Sequence, residues 1–406
     1  MLTLVTSNRA KYAPFAPELE RMRIQLEPPP GELPEVQTLD FAEALADKAR
    51  RATAAFGRSV LVDDAGLVLE AYKKFPGPLT STVLRSLGAP GLQRLLQGVS
   101  NAATMECHIG CWHNGSLRSW SGTVQGRLDF TRAIREPRMP LSDLFVPSEC
   151  VDGEIVLEHR TRALRALEKE ALDLHLSLAE HRSIGGECAT DRVPYDCPFC
   201  VEFENDGLSI FAGMMGGKLA SRVIYEDEHF VVMPPLGQFM EGGLLVLTRQ
   251  HLLSLAYLPE ALFDHLERLL AAIQRASQSL WGVSPLIFEH GPAPEWSKGI
   301  CCVDHAHLNI FPAKVLVHGH LSDRMQLPLH SLSELRRFQN AEFGYLMVQE
   351  NDGSRRIFDG ANVPTQLVRR IITRELGVAE RWHWRDYPGL QELLATYSAL
   401  KGKIRL

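Results

Sequence analysis

The chain has 406 residues and a formal net charge of −6, because 43 lysines and arginines stand against 49 aspartates and glutamates. Hydrophobic residues make up 45% and charged residues 23%, a balance that supports packed cores and excludes disorder over most of the length. At roughly 100–200 residues per domain, we expect about two to four domains. The acidic balance argues against a long nucleic acid as a general partner, whereas a local basic pocket can still bind a small nucleotide.

Apolar runs such as residues 244–247 are far shorter than the roughly 20 residues of a membrane helix, so we expect no membrane span. The N-terminus lacks a basic stretch followed by a long apolar run, so we expect no secretory signal and a cytoplasmic protein. The eight cysteines are too sparse for a disulfide framework, and a metal site or buried thiols fit them better.

Short apolar strands and amphipathic helices over residues 1–182 predict an α/β domain. We predict strands at 2–5, 59–62, 105–112 and 118–124, and helices at 41–56 and 159–181. The strand at 59–62 runs into Asp63 and Asp64, so both carboxylates are expected where this strand breaks into a loop. Ligands of open α/β sheets bind at such positions.

Residues 183–196 have linker composition, and a second domain is predicted over 197–313 with a C-terminal extension over 314–406. We predict strands at 222–225, 230–233, 243–248 and 306–311 and a helix over 259–281. This arrangement favours an α+β domain. In the extension we predict a strand at 345–349 and a helix over 364–376.

Polar residues after the first strand form a candidate phosphate site. Ser7, Asn8 and Lys11 lie where backbone amides and an ammonium can hold phosphate oxygens. Farther along the chain, Glu35, Asp63 and Asp64 offer hard oxygen ligands for Mg²⁺, which bridges carboxylates to substrate phosphates. A polar turn that opens a helix and an acidic pair that caps one remain open as structural explanations.

Several motifs follow one another over residues 1–170. They are Ser7-Asn8-x-x-Lys11, Leu33-Pro34-Glu35-Val36-Gln37, Val62-Asp63-Asp64-Ala65-Gly66-Leu67, Gly122-x-x-x-Gly126 and His159-Arg160. Together they resemble the inosine triphosphate pyrophosphatase family. The resemblance implies an α/β fold that uses Mg²⁺ to cleave noncanonical purine nucleoside triphosphates to monophosphate and pyrophosphate. It also implies that Asn8 and Lys11 hold phosphates, that Glu35 and Asp64 bind metal or orient water, and that His159 and Arg160 contact the nucleotide.

The second domain carries candidate metal ligands. Cys197 and Cys200 have the two-residue spacing that lets both thiolates reach one Zn²⁺. His305, His307 and Asn309 share one face of a predicted strand, because alternate residues point the same way. From these residues alone, a packing role for the two histidines and metal ligation are equally open.

The Cys-Pro-Phe-Cys motif, the strand into His251, the helix over 259–281 and His305-Ala306-His307-Leu308-Asn309 resemble the histidine triad (HIT) family of nucleotidyl hydrolases and transferases. The resemblance covers about residues 195–315, and residues 364–370 with 382–387 are similar to the C-terminal extension of some bacterial members. It implies that His307 attacks an α-phosphate to give a nucleotidyl-histidine. It further implies a structural zinc on Cys197, Cys200, His251 and His305, and nucleotide contacts from His290 and Ser297.

Asn309 stands where the family has its third histidine. An amide can hydrogen-bond a phosphate but cannot carry a charge or a proton near neutral pH. The transferase and phosphorylase branches have glutamine at this position, so an acceptor other than water is compatible with Asn309.

We therefore predict a bifunctional nucleotide-processing hydrolase with a Mg²⁺-dependent pyrophosphatase domain and a zinc-bearing HIT domain. One alternative is a HIT nucleotidyltransferase or phosphorylase with a non-catalytic N-terminal domain. A second alternative is a nucleotide-sensing protein without turnover. The expected partners are small nucleotides, not long nucleic acids or membranes, and a homodimer is left open.

Overall fold

The computed structural model describes residues 1–6, 9–30, 35–132, 140–148, 150–151, 154–155, 158–179, 197–204, 209–216, 219, 221–292, 303, 305–364 and 366–406. The chain divides into two compact units, Met1–Leu178 and Ala179–Leu406. The linker predicted at 183–196 lies outside the described residues.

The first unit is built on one large mixed sheet. Its strands are β1 (Leu2–Val5), β2 (Ile24–Glu27), β3 (Leu61–Leu69), β4 (Pro76–Gly77), β5 (Ala102–His113), β6 (Ser116–Leu128), β7 (Phe145–Pro147), β8 (Cys150–Val151) and β9 (Glu154–Ile155). Its helices are α1 (Ala16–Arg21), α2 (Phe41–Phe56), α3 (Thr80–Leu95), α4 (Pro140–Leu144), α5 (His159–Glu168) and α6 (Ala171–Ala179), with a 3₁₀ helix at Arg9–Phe15.

The strand order of this sheet is β2-β1-β3-β5-β6-β7, with β4 on β3, and β8 pairs with β9 separately. Strand β1 runs parallel to both of its neighbours, and the pairs from β3 to β7 are antiparallel. A mixed sheet with helices confirms the predicted α/β class. The single helix predicted over 159–181 is instead α5 and α6, which are separated by a turn at residues 169–170.

Helix α2 packs one face on this sheet. The side chain of Asp40 caps its N-terminus by accepting hydrogen bonds from the backbone amides of Ala42 and Glu43. Its small and apolar residues Leu45, Ala49 and Ala52 are buried in one cluster with residues of β1 and β3. Residues that flank this apolar stripe, including Lys48, are therefore held close to the sheet.

The placement of Asp63 and Asp64 differs from the prediction. Both lie inside the nine-residue strand β3 and not at a strand-to-loop break. Strand β5 pairs with β3 along its whole length, from Leu61 opposite Cys111 to Leu69 opposite Ala103. This pairing joins the backbone of Asp63 to Ile109 and that of Asp64 to His108, far along the chain, so local residue preference did not reveal that the strand continues past Val62.

The second unit contains one antiparallel sheet and its helices. Its strands are β10 (Tyr225–Glu226), β11 (Phe230–Met233), β12 (Leu244–Thr248), β13 (Leu286–Gly291), β14 (His307–Phe311), β15 (Gln326–Pro328), β16 (Tyr345–Gln349) and β17 (Arg355–Asp359). The α-helices are α7 (Pro198–Glu204), α8 (Ile210–Met215), α9 (Phe263–Trp281), α10 (Leu367–Glu375) and α11 (Leu390–Leu400). Short 3₁₀ helices span Leu255–Tyr257, Glu260–Leu262, His318–Leu321, Leu332–Asn340 and Ala379–Trp382.

The strand order is β10-β11-β12-β14-β13-β16-β17-β15. Strand β16 pairs directly with β13, for example Gln349 with Ile287, so the segment predicted as a C-terminal extension contributes three strands to the same sheet. An antiparallel sheet with α9 and α10 agrees with the α+β expectation. Helix α9 begins at Phe263, after a 3₁₀ turn, and α10 begins at Leu367, so both are shorter than predicted.

Among the described residues, no helix combines the length and the apolar composition that crossing a lipid bilayer requires.

Candidate functional site

Lys48 of α2 links two of the predicted magnesium ligands in the first unit. Its Nζ donates to Oε1 of Glu35 at 3.1 Å and to the backbone carbonyl of Asp63 at 2.9 Å. Burial lowers the pKa of Lys48, but the nearby carboxylates of Asp63, Glu35 and Asp64 raise it more, so the ammonium stays charged. Sequence analysis missed Lys48, because one lysine on an amphipathic helix carries no local signal of function.

Asp63 and Asp64 face opposite sides of the sheet, because consecutive residues of a strand alternate. Asp64 shares the α2 side with Lys48 and Glu35, whereas Asp63 is 6% exposed and interacts with buried Tyr12. Within the described part of the chain, the three predicted carboxylates therefore do not form one group whose oxygens are close enough to share an ion.

The carboxyl group of Asp64 has a raised pKa, close to neutral pH. Burial and the negative charges of Glu35 and Asp63 raise its pKa to about 6, against the opposing effect of Lys48 and of a hydrogen bond from the backbone amide of Ala65. A bound cation on the α2 side of β3 would stabilise the ionised form of this group.

A buried polar cluster lies on the Asp63 side. Burial and the charge of Asp63 raise the pKa of Tyr12 well above its usual value and that of Cys107 to about 12, so both stay protonated. Burial and the charge of Arg160 lower the pKa of His159 to about 3, so this imidazole is neutral. Arg160 and Asp63 thus act on the same two buried groups, Tyr12 and Cys107.

Gly122 of β6 allows α5 to approach the sheet. A Cβ at this position would overlap the carbonyl oxygen of His159 and the backbone nitrogen of Ala163. Nη1 of Arg162 donates to the carbonyl oxygen of Thr123 at 3.1 Å, which fixes the first turn of the helix on the strand. The glycine motif therefore sets where the His159-Arg160 pair lies.

The predicted phosphate site is described in part. Lys11 is exposed, and its positive charge acts to lower the pKa of Cys107, which places it near the buried cluster. Ser7 and Asn8 lie outside the described residues, as does Ser297 in the second unit.

Four cysteine and histidine side chains converge in the second unit. The candidate ligand atoms of Cys197, Cys200, His251 and His305 all lie within 4.8 Å of one another. Nδ1 of His305 is 3.5 Å from Sγ of Cys197 and 3.7 Å from Sγ of Cys200, and Nδ1 of His251 is 3.4 Å from Sγ of Cys200.

The tautomer of His305 suits metal ligation. Its Nε2 lies 2.7 Å from the carbonyl oxygen of Thr248, and a carbonyl can only accept, so Nε2 carries the proton. Nδ1 is then an unprotonated nitrogen that faces the two sulfurs. Burial lowers the pKa of His305 to about 4, which keeps the ring neutral. A proton donated to a backbone carbonyl is the usual outer contact of a zinc-bound histidine.

His307 is oriented in a similar way. Its Nδ1 lies 2.6 Å from the carbonyl oxygen of His305, so Nδ1 is the protonated nitrogen and Nε2 holds a lone pair. The ring centres of Phe199 and His307 are 5.7 Å apart. Burial lowers the pKa of His307, which favours the neutral form that can act as a nucleophile.

A cavity of about 490 Å³ lies over His307. Its floor is one face of three adjacent strands, with Leu245 from β12, His307 and Asn309 from β14, and Phe288 and His290 from β13. The volume falls in the range of small-molecule sites. The structure therefore gathers His290, His307 and Asn309 in one cavity and directs the side chain of His305 into the adjacent cysteine and histidine cluster.

Sequence analysis missed much of the cavity wall. Arg222, which lines the cavity, forms a buried two-point ion pair with Glu202 of α7, with N···O distances of 2.8 and 2.7 Å. On another side, Gln366 and Arg369 of the α10 region line the cavity together with residues 382–385. The aromatic run at 382–384 was visible in the sequence, but its position beside His307 was not.

The N-terminal part of the chain matches known proteins. The model of the Ham1 family matches residues 2–170. The dITP/XTP pyrophosphatase of Hyperthermus butylicus is 34% identical over 127 residues, which cover 31% of this chain and 67% of that protein. The dITP/XTP pyrophosphatase of Methanopyrus kandleri is 30% identical over 173 residues, which cover 39% of this chain and 89% of that protein.

The structures similar to this one include a HIT family member from Bacillus subtilis, with 21% identity and a TM-score of 0.22 over 29% of this chain and 72% of that chain. A TM-score this low does not establish a shared fold. The match over residues 2–170, together with relatives at 30% identity or more, shows that the chain belongs to the Ham1 family.

Proposed function

We propose that the chain is a bifunctional nucleotide-processing enzyme, with a nucleoside triphosphate pyrophosphatase site in the first unit and a nucleotidyl hydrolase site in the second. The relatives named dITP/XTP pyrophosphatases support the first activity and its substrate class. In that reaction a water oxygen bonds to the α-phosphorus and the bond to the β-phosphate breaks. The products are a nucleoside monophosphate and pyrophosphate.

The arrangement of Glu35, Lys48 and Asp64 carries the first proposal. Mg²⁺ commonly binds through one or two carboxylates together with substrate phosphates, and the oxygen donors of Glu35 and Asp64 on one side of the sheet fit that preference. When bound, the ion neutralises phosphate charge. Lys48 holds Glu35 in place and balances the charge of Asp64.

Two cations of the first unit are assigned to the substrate in this proposal. The charges of Lys11, Arg160 and Asp64 all act on Cys107, so both cations lie within electrostatic reach of Asp64 and would attract the phosphates and the nucleotide. Asp63 is not a magnesium ligand in this proposal, since it faces Tyr12 and not Glu35. Its charge instead raises the pKa of Lys48 and so helps to keep that ammonium charged.

Release of pyrophosphate from XTP tests this proposal. Asp64→Asn removes a charge with little change of shape, so release in the presence of Mg²⁺ should fall by orders of magnitude. The control Glu20→Gln, at an exposed position of α1, should keep the activity of the wild type. Release that persists in Asp64→Asn contradicts this site, and a wild-type protein that acts on none of a panel of triphosphates contradicts the activity itself.

The second activity rests on the geometry of His307. The lone pair on Nε2 would bond to the α-phosphorus as the bond to the leaving group breaks, giving a nucleotidyl-histidine. Water then breaks the phosphorus–nitrogen bond and restores the imidazole. The hydrogen bond from Nδ1 to His305 holds the ring in the required tautomer.

We further propose that Cys197, Cys200, His251 and His305 hold a structural zinc ion. Two thiols and two imidazoles form a donor set that suits tetrahedral Zn²⁺, and their mutual distances fit one ion. The ion would fix α7 and the start of β14 relative to each other.

Covalent capture tests the second activity. The protein is mixed with α-³²P-labelled nucleoside diphosphates and dinucleoside polyphosphates, then denatured at alkaline pH because a phosphorus–nitrogen bond is acid-labile. Label should remain on the wild type and on the exposed-position control His330→Ala, and it should be absent from His307→Ala. Full turnover by His307→Ala contradicts the mechanism.

Asn309 favours a transferase as the second candidate for this cavity. An amide can orient a phosphate but cannot deliver a proton to a leaving group. If a phosphate or sugar-phosphate acceptor resolves the labelled intermediate faster than water does, the transferase explains the cavity better than the hydrolase.

A further inference from the structure

The cavity over His307 has two different walls. On the β12 side, Phe199 of α7 packs in a buried cluster with Leu245 and Leu247. On the β13 side, Val368 and Ile372 of α10 pack in a separate cluster with residues of β13 and β16. The His307 strand runs between them, so a ligand with phosphorus at His307 would extend toward one wall or the other.

The second wall carries two indole rings. Trp382 and Trp384 are half-buried and both line the cavity. The guanidinium of Arg370 lies 3.8 Å from the ring centre of Trp382, and that of Arg385 lies 4.9 Å from the ring centre of Trp384. We call residues 382–388 the aromatic arm.

The arm is fixed to the loop between β11 and β12. Gly237 donates its N–H to the carbonyl of Pro388 at 2.8 Å and accepts a hydrogen bond from Nη2 of Arg369. Nε of Arg369 donates to the carbonyl of Trp382 at 3.1 Å, and its guanidinium lies 5.0 Å from the ring centre of Phe239. Arg369 thus joins the arm to the loop and to the core.

Gly237 is required for this close approach. Its φ of +77° favours glycine, and a Cβ there would overlap the Cα and Cβ of Trp384. The wall is therefore pre-organised, with its indoles held at the cavity before any ligand enters.

On the basis of the proposed nucleotidyl activity of His307, we propose that the aromatic arm is the base-recognition wall of this cavity, where Trp384 and Trp382 stack on the nucleobase while phosphate lies over His307. Planar bases stack on aromatic side chains largely independently of base identity. Arg369 is a positioning residue that acts through the arm.

Calorimetric binding of AMP and ribose 5-phosphate to the full chain tests the proposal without turnover. The two probes share the sugar and the phosphate, so their ratio of affinities reports the base. Stacking energies predict that the wild type binds AMP on the order of 10- to 100-fold more tightly. Trp384→Ala should lose most of this preference, Trp384→Phe should keep most of it, and ribose 5-phosphate should bind all three alike.

A second pair of variants substitutes no residue that lines the cavity. Gly237→Ala should displace Trp384 and reduce the preference for AMP as Trp384→Ala does. Gly353→Ala is the matched control, because Gly353 has a φ of +87° and nothing within 4 Å of the added Cβ, so it should keep the preference. Binding of ribose 5-phosphate with the affinity of the wild type checks that the second unit of each variant is intact.

Equal binding of AMP and ribose 5-phosphate to the wild type overturns the proposal. So does an unchanged preference in Trp384→Ala, which would place the base at the α7 wall, or an equal loss for both probes. The binding test is independent of the proposed activity. If His307 is not labelled in the covalent capture experiment, the ratio of the two affinities still reports where the base binds.

Discussion

The carbonyl oxygen of His305 accepts a hydrogen bond from Nδ1 of His307 at 2.6 Å. His305 therefore contributes its side chain to the cysteine and histidine cluster and its backbone to the orientation of His307. A change in the cysteine and histidine cluster should therefore alter the orientation of His307 in the cavity, two residues along the chain.

Removal of the proposed zinc should inactivate the second unit selectively. Cys200→Ser deletes one thiolate, so the zinc content should fall from about one ion per chain, and covalent labelling of His307 should fall with it. Elemental analysis and the labelling assay measure both effects, and release of pyrophosphate from XTP should be unchanged. A wild-type protein purified without zinc and still labelled at His307 would contradict the proposed role of the ion.

Lys48 should be needed for pyrophosphate release, although no local motif marks it. Lys48→Met removes the ammonium that contacts Glu35 and the backbone of Asp63, and kcat/KM for XTP should fall by about 10²-fold or more. Lys73→Met is the matched control at an exposed position and should be neutral. Equal kcat/KM values for Lys48→Met and wild type would exclude Lys48 from the site.

Glu289 should make the stability of the second unit depend on pH. This side chain is 1% exposed, accepts hydrogen bonds from the amide of Leu255 and the hydroxyl of Tyr345, and its pKa is raised by burial to about 7. Because the folded protein holds this proton more tightly than the unfolded chain does, its contribution to stability is full below about pH 4.5 and is lost as the pH rises to about 7.

At pH 8 the free energy of unfolding of Glu289→Gln in urea should therefore exceed that of the wild type by up to about 3 kcal/mol. This difference should shrink toward pH 5. Glu228→Gln is the control, since the Glu228 side chain is 88% exposed, and it should follow the wild type at both pH values. A difference between Glu289→Gln and wild type that does not vary with pH would show that Glu289 is ionised in the folded protein.

The local sequence pattern was sufficient to predict the bounds of several helices and strands. The helix Phe41–Phe56 and the strands Leu2–Val5, Phe230–Met233 and Tyr345–Gln349 have the predicted bounds, because their apolar periodicity and flanking residues already encode them. The spacing of Cys197 and Cys200 also indicated, from local sequence alone, two of the four side chains that converge in the second unit.

The tertiary structure decided the features that depend on residues far apart in the sequence. Pairing with β5 extended β3 through Asp63 and Asp64, and strand alternation then separated the two carboxylates onto opposite faces. Packing of α2 brought Lys48 to Asp64, and pairing of β16 with β13 brought the C-terminal segment into the sheet beside His307. The sequence by itself determined the residue chemistry and the short-range periodicity, whereas contacts between residues far apart in the chain, which no local pattern records, decided which of those residues share a site.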